Sequence, residues 1–127
     1  MQLASAFETA VPSPSRQAAA AREGLARSLV VAGEGRPDTD LVECARAGVA
    51  FHHAHLSSRE KGLVEDAFRR GTVHTLTCTT TLAAGVNLPA RRVVILGGNH
   101  GHSASTYRQM AGRAGRAGQS DVGESFV

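Results

Sequence analysis

Two arginines three residues apart, Arg113 and Arg116, follow Gln109 in the segment Tyr107-Arg-Gln-Met-Ala-Gly-Arg-Ala-Gly-Arg116. Neither side chain loses its charge near neutral pH, and each planar guanidinium fork matches the oxygens of a phosphate. Gly112, Ala114 and Gly115 carry little or no side chain, so the backbone here can approach a nucleotide closely. A phosphate-contacting site is the chemistry this pattern suits; a solvated Arg/Gly turn is the other use of the same residues. A second group, Thr79, Thr80 and Thr81, brings hydroxyls and successive backbone amides together. That donor set can hold nucleic-acid phosphate oxygens without reading bases, although β-propensity alone also accounts for a threonine run. Beyond it, Gly85 permits close backbone approach and Asn87 offers a side-chain amide.

These residues need elements to position them, and the pattern from residue 41 onward supplies candidates. Leu41 to Ala47 suits a short helix that Gly48 ends, and Val49-Ala-Phe-His-His53 reads as a strand. Ser57-Ser-Arg-Glu60 is a capping box, in which the serine hydroxyl and the glutamate carboxylate satisfy each other's backbone amides at a helix start. Leu56, Leu63, Val64, Ala67 and Phe68 then fall on one face, and Gly71 stops the helix. Val73 to Cys78 and Arg92 to Leu96 are apolar and β-branched enough for buried strands, with Pro89 breaking the connection between them. Strand alternating with helix predicts a parallel α/β sheet with flanking helices. Ligands gather at the carboxyl ends of such strands, where the Thr79 to Thr81 turn and the loop after Leu96 would lie. Gly97 to Ser103 is a glycine-rich loop leading into the helix that carries Arg113.

Residues 1 to 40 differ from the rest, being dominated by alanine, serine, proline and arginine. They read as a weakly ordered leader with one helix over 15–29, capped by Ser15, and residues 41–127 as the folded lobe. Leu3 to Val11 is a partly apolar run that Glu8 and Thr9 interrupt.

Composition limits the partners. The net charge of +3 favours an anionic one, and Lys61 is the only lysine among 14 basic residues, so the charge is almost all of the bidentate kind. Cys44 and Cys78 are too few and too far apart for a disulfide framework or a Cys-based zinc site, which points to a reducing compartment. No apolar run approaches the roughly 20 residues of a membrane span, and Met1 to Val11 lacks the layout of a secretory signal. Five of the six histidines cluster, at His52, His53 and His55 and at His100 and His102, but no cysteine or carboxylate completes a ligand spacing, so no metal site is expected. The 127 residues contain neither a G-x-x-x-x-G-K-[ST] loop nor an acidic box for magnesium.

Residues 77–96 together with the arginine pair resemble motifs V and VI of superfamily-two helicases. Thr81-Leu-Ala-Ala-Gly-Val-Asn-Leu-Pro-Ala-Arg-Arg92, Tyr107 to Gly118 and Gly123-Glu-Ser125 look like the polymerase-theta-like DNA helicases within them. Gly48-Val-Ala-Phe-His-His-Ala54, running into Leu56-Ser-Ser-Arg-Glu60, resembles the strand and helix start, motif IVa, that precede motif V in that family. The resemblance implies a second RecA-like lobe, a three-layer parallel sheet incomplete at its first strand, working in an ATP-dependent DNA helicase of the repair type. It assigns Arg113 and Arg116 to catalysis, Gln109, Gly85 and Asn87 to the nucleotide, and Thr79, Thr80 and Thr81 to the DNA backbone. The implied cofactor is ATP with Mg2+, held only together with a first RecA-like lobe in a longer chain or a partner. Single-stranded or forked DNA is the implied substrate, with 3′ to 5′ movement, and the nucleus the implied compartment. Hydrolysis by this chain alone is not expected. A non-catalytic nucleic-acid or helicase-binding module, or a non-functional truncated product, are the other readings. Two departures stand out: the family typically has glycine where His55 stands, at a turn where a positive φ is expected, and the loop between Leu96 and Tyr107 is shorter than in close relatives.

Overall fold

The computed structural model describes residues 13–79, 88, 90–94 and 124–126. The chain falls into two compact units, residues 1–78 and 79–127. In the first, an alanine-rich run with few β-branched residues makes helix α1, Arg16–Ala32. Ser15 caps it, its hydroxyl accepting from the Ala18 amide at 3.2 Å. Leu25, Ala26, Leu29 and Ala32 recur at helical spacing and are buried together. The helix therefore runs past residue 29, and it contributes to the same core as the residues after 40. Residues 1–12, with the run Leu3 to Val11, lie outside the described residues.

Helix α2, Thr39–Arg46, starts earlier than Leu41 because Asp38 caps it, the carboxylate accepting from the Leu41 amide at 3.1 Å. Ala47 caps its end and Gly48 follows, with a φ of +81°, the left-handed conformation that favours glycine. The Arg22 guanidinium lies against that glycine, and its Nε donates to the Thr72 carbonyl at 3.3 Å. One arginine thereby ties α1 to the turns that precede two strands.

Strand β1, Val49–His52, leads to helix α3, Ser58–Arg70, and then to strand β2, Thr75–Cys78. The strands pair in parallel, Val49 beside Thr75 and His52 beside Cys78, as a crossover helix requires. The capping box of α3 is formed: Ser57 N–H donates to Glu60 Oε2 at 2.7 Å and Glu60 N–H to Ser57 Oγ at 3.2 Å. Val64, Ala67 and Leu56 are buried, with Leu63 and Phe68 packed partly against them, and Gly71 closes the helix in the left-handed conformation. Leu29, Leu41, Val49, Val64 and Val73 are the largest of the fully buried aliphatic side chains. At about 1.5–3 kcal/mol for each fully buried aliphatic side chain, they are the main source of cohesion.

Three expectations need correction. Strand β2 begins at Thr75 rather than Val73, and Thr77 and Cys78 are exposed; with one neighbouring strand among the described residues, a threonine-rich strand need not be buried. In the second unit, strand β3, Arg92–Val94, pairs in parallel with strand β4, Glu124–Phe126, placing Arg92 beside Glu124. There Val94 is 66% exposed where the apolar run suggested burial. Finally, among the described residues Glu34 is the only non-glycine with positive φ, so His55 is accommodated without left-handed backbone.

Candidate nucleic-acid interface

Both strands of the β1–β2 pair end at the same edge, because they are parallel and in register to His52 and Cys78. Thr79 follows Cys78 directly and is exposed. Of the residues assigned to DNA phosphates it alone is described, and it stands where a parallel sheet presents ligand-binding groups, immediately after a strand's carboxyl end. Thr80, Thr81, Gly85, Asn87, Gln109, Arg113 and Arg116 lie outside the described residues. Their assignment rests on the sequence pattern.

At the end of β1 the side chains alternate between two environments, as the strand period requires. His52 turns inward: it is 5% exposed, and its Nε2 lies 2.9 Å from Glu65 Oε1 on α3. Its Nδ1 is buried without a hydrogen-bond partner. Glu65 therefore anchors the last residue of β1 to the helix that crosses over to β2. No local sequence signal marks this pair, since its members are 13 residues apart on different elements.

His53 and His55 face outward. The Phe51 and His53 rings stack with centroids 5.5 Å apart and an interplanar angle of 8°. His55 meets His53 edge-on, at 5.7 Å and 61°. The His55 amide donates to His53 Nδ1 at 3.1 Å, which fixes the turn after the strand. Lys61, from the first turns of α3, donates from Nζ to the Ala54 carbonyl at 3.4 Å and adds a cation beside that turn. Among the described residues no group of three or more histidine, cysteine or carboxylate side chains could hold a metal ion, and no helix is long and apolar enough to cross a membrane.

The comparisons with known proteins bear on the same stretch. A family model described as the helicase conserved C-terminal domain matches residues 30–118. Helicase POLQ-like of Drosophila melanogaster is 49% identical over 83 residues, covering 63% of this chain and 8% of that protein. DNA polymerase theta of Mus musculus is 49% identical over 93 residues, covering 71% of this chain and 4% of that protein. ATP-dependent DNA helicase Hel308 of Pyrobaculum calidifontis is 48% identical over 96 residues, covering 69% of this chain and 14% of that protein. The chain thus corresponds to a small share of the length of each relative.

Proposed function

Because this chain belongs to the helicase conserved C-terminal domain family, with its RecA-like α/β fold, we propose that it is the second lobe of an ATP-dependent DNA helicase that acts in DNA repair in the nucleus. The observation that carries this reading is the family match over residues 30–118, which takes in the threonine turn, Gly85, Asn87, Gln109 and both arginines. Arg113 and Arg116 suit phosphate oxygens, whereas none of Gly85, Asn87, Gln109, Arg113 and Arg116 is a carboxylate that could ligate Mg2+. Magnesium and the phosphate cradle therefore belong to a first lobe, supplied by another segment or another chain.

In that assembly ATP supplies a γ-phosphoryl group for transfer to water. Arg113 and Arg116 stabilise the charge that spreads over its oxygens in the transition state, an effect on the order of 1,000-fold in rate for such fingers. Gln109 and Asn87 line the nucleotide side, and Gly85 lets the backbone come close. Thr79, Thr80 and Thr81 hold the phosphates of single-stranded or forked DNA, which couples closure of the lobes on ATP to a grip on the strand. Contacts of this kind are independent of sequence and weaken steeply with salt.

The test is a titration of single-stranded DNA with the chain over a range of salt concentrations. Binding should weaken steeply and log-linearly with salt, and Thr79→Val should weaken it for every sequence alike. Salt-insensitive association, or none at all, would sink the phosphate-gripping role.

A further inference from the structure

We propose that the rings of Phe51, His53 and His55 form a stacking column whose outer ring, His55, receives an unpaired base of single-stranded nucleic acid. This rests on the nucleic-acid reading above and adds a base-dependent contact to it. Phe51 and His53 are two residues apart on extended chain, so their side chains leave on the same face, and their rings are near-parallel at 5.5 Å. At His55 the column turns, since that ring meets His53 edge-on at 5.7 Å and 61° and leaves its own face open. It is rooted at one end, where Phe51 packs against the core, and it ends in an exposed ring.

The orientation of the middle ring is held. Because His53 Nδ1 accepts from the His55 amide, the neutral His53 ring carries its proton on Nε2 and cannot turn over without losing that bond. The same bond removes one of the two nitrogens through which His53 could ligate a metal. A platform with its middle ring already fixed loses less entropy on binding. Imidazole and aromatic rings stack with bases regardless of sequence, and Lys61 on the adjoining turn supplies a cation for the neighbouring phosphate. The glycine that the helicase resemblance places at position 55 would end the column at His53.

The experiment uses the 127-residue chain and two labelled oligonucleotides of equal length, one of thymidine and one abasic, with binding read by fluorescence anisotropy at fixed pH and salt. The abasic strand should bind about tenfold more weakly. His55→Gly should bring the thymidine strand down to the abasic level and leave abasic binding unchanged, while His55→Phe should keep the preference. If His55→Gly leaves the preference intact, or weakens both strands equally while salt-dependent binding persists, the stacking column is wrong and the phosphate grip stands. If the parent chain binds neither strand, both readings fall.

Discussion

Glu65→Ala should destabilise the chain out of proportion to the size of the change. The His52 ring is 5% exposed, and its Nε2 is paired only with Glu65 among the described residues, at 2.9 Å. Since Nδ1 is already without a partner, the substitution leaves both ring nitrogens unsatisfied in the interior. Stranding one buried polar group costs about 1–3 kcal/mol. In a unit of this size each kcal/mol lowers the melting temperature by about 4–8 °C, so a fall of about 5–20 °C is expected. Glu65→Gln keeps an oxygen that accepts from Nε2 and should cost less than about 1 kcal/mol. Thermal unfolding followed by circular dichroism reads both. An alanine variant that melts with the parent, or a glutamine variant as unstable as the alanine one, would refute the claim that this hydrogen bond holds the end of β1.

Gly48→Ala should cost about 1–2 kcal/mol for the left-handed backbone alone, and more than Gly71→Ala, because a Cβ at 48 would meet the Arg22 guanidinium at 2.7 Å whereas the space at 71 is open; denaturant midpoints rank the two. Ser57→Ala removes the cap of α3 and should cost about 1 kcal/mol, measured in the same way. Burial, and after it the Asp40 carboxylate, pushes the Cys44 thiol above its ordinary pKa. The folded chain then holds that proton more tightly than the unfolded one. Its contribution is intact below about pH 8.5 and is lost as the pH rises beyond. Cys44→Ala should accordingly flatten the alkaline decline in denaturant midpoint. The chain alone should not hydrolyse ATP; phosphate release that disappears with Arg116→Ala would overturn the assignment of the phosphate cradle to another lobe.

Short-range rules made part of this fold legible. The Ser57 and Glu60 capping box, the Gly71 stop and the buried face of α3 each depend on residues within a few positions of one another, and all three form. The Asp38 cap was hidden because Gly33 to Asp38 has the composition of a loop, and the same aspartate serves both. Strand β4 has no signature of its own, since Glu-Ser-Phe lacks any alternation and is a strand only beside β3. The exposure of β2 and Val94 depends on what covers a sheet, which apolar character does not encode. At the site, the place of Thr79 directly after β2 was readable from the strand that precedes it. The Glu65 anchor and the ring column were not, because each follows from the way β1 turns at its end and meets α3.

The most direct test of the central claim is to graft residues 30–118 into the Pyrobaculum calidifontis Hel308 helicase in place of its matching segment and to measure DNA-stimulated ATP hydrolysis. The account predicts a chimera that turns over ATP, and about a 1,000-fold loss on Arg116→Ala with DNA binding retained. A folded, DNA-binding chimera without turnover, or one whose turnover survives Arg116→Ala, would contradict it.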